Sequence, residues 1–352
     1  MIPEPVDWGT ARRVARIVAG RDALADSYLG SSLDDDFADF TARSEVLVGE
    51  FTGLRAPAPV TAIVLDRKGW VDANVESMRQ LLAPLLDRVG ERMASSPIAP
   101  IGRQLAGSEI GALLGYLSQR VIGQYDLLVP DQPGGDAVYY VGPNVLALEK
   151  RFAFRPRDFR MWIALHETTH RAQFTGVPWL RDHFFSLAHQ AMSVVEPDPR
   201  SVVRALSNAV DELRRGRNPL DEGGLVGLFA SPEQRGVLAQ VQALMSLLEG
   251  HGDYVMSDLG VKHVAGEERM ARVLHQRRNS VGFTGFMHKL LGLEQKLRQY
   301  EVGEKFIRGV VELGGPSAID HAWRGPENLP TIDELTAPQA WLQRVEHAPA
   351  AH

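Results

Sequence analysis

His166, Glu167 and His170 stand in the run Trp162-Ile163-Ala164-Leu165-His166-Glu167-Thr168-Thr169-His170-Arg171. Residues four apart share one face of a helix, so the two imidazoles can ligate a single metal ion while Glu167 flanks the coordination position left open. Neutral imidazole suits zinc, and a catalytic zinc keeps three protein ligands and one water, whose pKa falls to about 7. A neighbouring carboxylate that is not itself a ligand can then take the proton as water attacks a carbonyl carbon. Glu167 is placed for that role, and the chemistry is zinc-assisted hydrolysis.

A third ligand must come from elsewhere. The pattern HExxHxxGxxH is excluded, because Gln173 occupies its glycine position and Gly176 its last histidine position. The alternative is an acid on a later helix, often followed one turn on by a second acid that hydrogen-bonds a ligand histidine. Leu247-Leu248-Glu249-Gly250-His251-Gly252-Asp253-Tyr254-Val255-Met256 fits, following an apolar helical run over 237–248. Glu249 is the expected third ligand and Asp253 the expected partner of a ligand histidine. His251 is the rival ligand, though its spacing points it away from the face shared by Glu249 and Asp253.

These residues need a scaffold, and helical periodicity supplies one. Pro156 and Asp158 are helix-start residues, Phe159, Trp162, Ile163 and Leu165 lead an apolar stripe into the histidine pair, and Gly176 and Pro178 close it. Helices are expected over 8–19, 32–53, 71–94, 102–121, 145–152, 157–175, 179–194, 198–215, 232–257, 266–279, 284–311 with a break near Gly292, and 334–345. Strand signals are few: 60–65, 125–129 and 137–141, the last two separated by the turn-rich PDQPGGD. The expected fold is mainly α, an α+β arrangement with a small sheet beside the active helix. Residues 1–135 form an expected N-terminal helical region packed on a catalytic region at 136–345, with a frayed tail at 346–352. That surplus of upstream helices predicts a partly roofed site taking short peptides or flexible tails.

Composition narrows the class. With 352 residues, 44% of them hydrophobic, the chain can bury one large or two moderate cores. The absence of cysteine excludes disulfides, thiolate ligands and a cysteine nucleophile. The N-terminal segment lacks a signal-peptide core and no run of 18 apolar residues occurs, so a cytoplasmic protein without a membrane span is expected. A net charge of −6 argues against nucleic acid as the main partner. Oligomeric state is not legible.

Substrate handling suggests further residues. Strand 137–141 is an expected edge for a peptide substrate, and the following Asn144 either hydrogen-bonds that substrate or caps the helix at 145. A donor to the developing oxyanion is needed, with Tyr254, His275, Arg277 and Tyr300 as candidates and Tyr300 preferred. Trp162 and Trp179 are expected core aromatics flanking the site.

Five blocks, in order, carry a resemblance: PVDWGTARRVA, YYVGPNVLALEKRF, FRMWIALHETTHRAQFTGVPWLRDH, LLEGHGDYVM and LLGLEQKLRQYEVGEKFIRGVVE. They look like the zincin-like type 2 family of actinobacteria and relatives, described as zinc-dependent metalloproteases or as proteins associated with biosynthesis of a deazaflavin coenzyme. The resemblance spans about residues 5–345. It implies a mostly helical zincin-like domain with zinc at His166, His170 and, by matching the acidic helix, Glu249, beside Glu167. Three activities fit: a zinc peptidase, foremost; a zinc hydrolase on a non-peptide amide or ester; and a degenerate zincin used as a binding scaffold. Retention of Glu167 argues against the last, since a purely structural site has no use for a non-ligating carboxylate.

Overall fold

The computed structural model describes residues 4–22, 24, 27–93, 99–127, 136–193, 232–278 and 300–347. The helix expected at 198–215 and the 284–299 part of the helix expected at 284–311, with its break near Gly292, lie outside the described residues. The chain forms two compact units, Met1–Ala172 with Leu259–Phe283, and Gln173–Asp258 with Thr284–His352.

In the first unit, helix α1 (Trp8–Ala19) is capped by Asp7, whose carboxylate accepts from the Thr10 backbone N–H and hydroxyl, each at 2.9 Å. It runs parallel to α4 (Ala99–Ser118) through two stripes of small residues, Gly107, Gly111 and Gly115 meeting the backbone of Asp7, Ala11 and Ala15. The backbones nearly touch: a methyl group at Gly111 would lie 2.4 Å from the Ala11 carbonyl oxygen. Helices α2 (Leu33–Thr52) and α3 (Arg67–Met93) flank strand β1 (Thr61–Leu65) in sequence.

The sheet has three strands in the order β1-β3-β2, with β3 (Ala137–Val141) parallel to β1 and antiparallel to β2 (Gly123–Tyr125). The run Ala-Val-Tyr-Tyr-Val is buried at four of its five positions, as a central strand must be. Strand 137–141 is therefore not the edge expected from sequence; among the described residues β1 and β2 are the edges. Strand β2 also begins two residues before the expected 125, because Gln124 is buried for polar reasons. Its amide accepts from Trp70 Nε1 at 2.7 Å and donates to Asn74 Oδ1 at 2.9 Å. The expected boundary at residue 135 does not separate the sheet, since β1 and β2 precede it and β3 follows it.

Helix α5 (Gly142–Phe152) leaves β3 directly, with Pro143 in its first turn. Helix α6 (Pro156–Gly176) follows, its first aromatics Phe159 and Trp162 continuing a ring stack begun by Phe154. Two buried arginines fix α6. Arg160 grips Glu149 of α5 through Nε at 2.8 Å and Asp36 of α2 through Nη1 at 2.6 Å. Arg171 pairs with Asp136 just before β3, through Nε at 2.8 Å, and with Glu45 of α2. The helix carrying the histidines is thus tied to the sheet side at both ends.

In the second unit, α7 (Leu180–Ser193) follows the last residues of α6, and most of α8 (Pro232–His263) crosses α10 (Tyr300–Gly314). That crossing is backbone to backbone: a methyl group at Gly250 would meet the Gly303 carbonyl carbon at 2.2 Å. A 3-10 segment at Pro316–Trp323 leads to α11 (Pro338–His347). The helix expected at 334–345 is divided, because Pro338 starts a new helix after a short 3-10 turn at Glu334–Thr336. Helix α9 (Glu267–Arg278) returns the chain to the first unit. Among the described residues, no helix is long and apolar enough to cross a membrane.

Candidate metal centre

His166 and His170 project from successive turns of α6, half-buried, with their Nε2 atoms 3.2 Å apart and their rings nearly perpendicular at 83°. Two nitrogens bound at 2.0–2.1 Å to one tetrahedral ion are separated by about 3.3 Å, so the pair already has the spacing of two ligands. Trp162, one turn earlier, lies parallel to the His166 ring at 6.5 Å. The intervening Thr168 and Thr169 spend their hydroxyls on helix carbonyls, to Ala164 and Leu165 at 2.7 Å each. They leave the metal face to the histidines.

Glu167 is buried on the side of α6 that meets β2. A methyl group at Gly123 would lie 2.7 Å from both Glu167 Cγ and Oε1. On β3, Tyr140 is stacked on Phe37 at 3.8 Å and shares a hydrogen bond with Thr41 Oγ1 at 2.7 Å. Burial pushes the Tyr140 phenol far up and the Glu167 charge adds to it, against the pull of Thr41, so it stays protonated.

Glu249 is buried, and one ligand atom from each of His166, His170 and Glu249 lies within 4.8 Å of the others. Two imidazoles and one carboxylate form a donor set that suits zinc with a position left for water. Asp253, one turn after Glu249, is also buried. His251 is not part of this group: its Nδ1 lies 2.9 Å from Gln173 Nε2, and its ring packs edge-on against Trp323 at 5.2 Å. Tyr254 carries the Arg308 guanidinium over its ring at 5.6 Å, and burial pushes its phenol up. The side chains of His275, Arg277 and Tyr300 lie outside the described residues, although Tyr300 opens α10 three residues before Gly303.

Asn144 needs correcting. It does not cap α5, since Val141 occupies the cap position and Asn144 is buried inside the helix. Its Oδ1 accepts from Arg67 Nε at 2.8 Å, and its Nδ2 donates to the carbonyls of Ser118 at 2.8 Å and Val121 at 2.6 Å. Every polar atom of the amide is engaged in holding α3, α4 and the approach to β2. Three residues went unnoticed as parts of the site: Gly123, Arg171 and Gln173. The last two are polar residues on the apolar side of a helix, which itself signals buried partners.

Residues 6–342 match the family model of the zincin-like metallopeptidases. The chain belongs to this family. It is also similar to a solved structure from Chloroflexus aurantiacus described as "a putative hydrolase with a novel fold", at 31% identity and a TM-score of 0.76, covering 98% of this chain and 100% of that one. No curated protein matches the chain. Zincin-like membership implies a metal, usually zinc, and supports an enzyme, a hydrolase, of mostly helical α+β fold. Among the described residues, His166, His170 and Glu249 form a group that could hold such a metal.

Proposed function

We propose that the protein is a zinc-dependent peptidase in which His166, His170 and Glu249 hold the metal and Glu167 is the general base. The convergence of those three ligand atoms within 4.8 Å carries the reading. When bound, zinc supplies Lewis acidity and makes water a nucleophile near neutral pH. The two imidazoles, their Nε2 atoms 3.2 Å apart, would hold it, and Glu249 would add one negative charge. Glu167, packed on Gly123, takes a proton at its carboxylate from the attacking water and returns it to the departing amine. Asp253 orients a ligand histidine through its second ring nitrogen.

Substrate would lie along β2, one of the two terminal strands among the described residues and the one whose Gly123 lies against Glu167. An extended peptide can add to such an edge by main-chain hydrogen bonds, which favours short or unfolded substrates over folded ones. Tyr300 is the proposed donor to the oxyanion. Its support is the contact of Gly303, on the next turn of α10, with Gly250 beside Glu249.

The test combines metal analysis with cleavage of a quenched-fluorescence peptide library. Wild type should hold about one zinc per chain and cleave peptides; His166→Ala should lose both properties, and Glu167→Gln should keep zinc and lose cleavage. A wild-type chain that stays metal-free after reconstitution overturns the proposal. Zinc retention with hydrolysis confined to small amides or esters would replace the peptidase by a non-peptide hydrolase.

A further inference from the structure

We propose that Gln173 is a positioning residue for the metal centre, setting the place of Glu249 by holding the Leu248 carbonyl just before it and the His251 ring just after it. The inference rests on the reading of Glu249 as the third ligand. Gln173 is fully buried, a costly place for an amide unless its hydrogen bonds are made. Its Nε2 donates to the Leu248 carbonyl oxygen at 2.9 Å and lies 2.9 Å from His251 Nδ1. These partners are the residue just before Glu249 and the second residue after it.

Chemistry fixes the direction of both bonds. The Leu248 carbonyl can only accept, so the NH2 end of Gln173 faces it, and the same nitrogen then donates its other hydrogen to His251 Nδ1. His251 is therefore held as the neutral tautomer with its hydrogen on Nε2. That assigns His251 a use other than coordination: it is the second post of a clasp that straddles Glu249. The other end of the clasp is short and stiff, because Gln173 follows His170 by three residues on the same helix. A helical turn and one hydrogen bond, to the Leu248 carbonyl, thus separate the His170 imidazole from the backbone that carries the carboxylate, and the bond to the His251 ring adds a second hold.

A carboxylate ligand must be held to about 0.5 Å to bind well, and losing an outer partner of a metal site typically costs 10–100-fold in metal affinity. Gln173→Met keeps the length and most of the volume but deletes both donors. Gln173→Glu keeps the shape but, ionised, cannot donate to the Leu248 carbonyl.

The experiment is competition for Zn2+ between a chromogenic chelator and the full-length protein, with urea unfolding of the metal-free forms alongside. Wild type, Gln173→Met, Glu249→Ala and the double variant are compared, and Gln173→Glu replaces Gln173→Met if the latter does not fold. The expected result is a 10–100-fold loss of Zn2+ affinity in the Gln173 variant, and no further loss when it is added to Glu249→Ala, because Gln173 acts through Glu249. Affinity within twofold of wild type overturns the proposal, as does an equal loss in both backgrounds, which marks a purely structural amide. If Glu249→Ala binds Zn2+ like wild type, the reading of Glu249 as a ligand fails, and the role of Gln173 with it.

Discussion

Glu167 lies against Gly123 so closely that its side chain comes within 2.7 Å of where any residue other than glycine at that position would put its first side-chain carbon. The strand edge and the proposed base are thereby brought together without an intervening side chain. A substrate backbone laid along β2 would run past the group that must reach its attacking water. The close approach also constrains the aliphatic part of Glu167, whose rotamer is set by the strand as well as by the helix.

Gly123→Ala is therefore expected to disable hydrolysis without unfolding the chain. The added methyl meets only side-chain atoms of Glu167, Cγ and Oε1 at 2.7 Å, so that side chain must shift while the backbone stays. A displacement of about 1 Å at a reacting group can cost about 100-fold. Turnover of a fluorogenic peptide should fall by that order while zinc content and the urea midpoint stay near wild type. Wild-type turnover in Gly123→Ala would remove Glu167 from the chemistry.

Metal should stabilise the fold through the histidine pair. An ion that binds only the native state contributes RT ln(1 + [L]/Kd), about 4 kcal/mol at a thousandfold excess over Kd. Urea unfolding with free Zn2+ buffered at that excess should show the gain in wild type and lose it with chelator. His170→Ala should show almost none, having lost one of the nitrogens now 3.2 Å apart. An equal gain in His170→Ala would place the binding elsewhere.

The two arginines of α6 differ in what they would leave behind. Arg160 faces Glu149 and Asp36, both under a tenth exposed, whereas the partners of Arg171, Glu45 and Asp136, are about 30% exposed and can rehydrate. Arg160→Met should therefore cost near the top of the roughly 3–5 kcal/mol typical of a broken buried pair, and Arg171→Met less. The deficit should also depend on pH. Burial already lifts Glu149 above its usual range against the pull of Arg160, and without that pull it rises further. A carboxyl whose folded pKa exceeds its unfolded value penalises the fold above that folded pKa, and the penalty fades as pH falls through it. Urea unfolding should show a smaller gap between wild type and Arg160→Met at pH 5 than at pH 8; a constant gap would mean Glu149 is not the residue left exposed to the cost.

How much of this was legible in the sequence follows from what each signal depends on. The α6 helix was expected at 157–175 and spans Pro156–Gly176, because its apolar stripe and terminal residues are local signals. Strands 60–65 and 137–141 were legible for the same reason, but their parallel pairing was not, since pairing order depends on contacts distant in sequence. Gln124 hid β2: its burial is accounted for by Trp70 and Asn74, fifty residues away, which no local pattern reports. Asn144 misled in the opposite sense, a polar residue after a strand whose partners are all internal. Gly123 and Gln173 could not be placed until the elements they touch were side by side.

Glycine itself gives the last prediction, because identical substitutions should act oppositely at two helical sites. Gly111 on α4 lies against α1, where a methyl group would come within 2.4 Å of the Ala11 carbonyl oxygen and 3.0 Å of its Cα. Backbone cannot swing aside as a side chain can, so Gly111→Ala must push the helices apart and open the packing along both small-residue stripes. Such overpacking typically costs 1–3 kcal/mol. Gly236 on α8 is exposed with no atom within 4 Å of the same position, so alanine there meets nothing and removes only the conformational freedom of the unfolded chain. A gain of about 0.5–1 kcal/mol is expected. Urea unfolding of the two variants side by side tests the pair, and a destabilised Gly236→Ala or an unaffected Gly111→Ala would contradict the close parallel packing of α1 on α4 or the open setting of α8 at that turn.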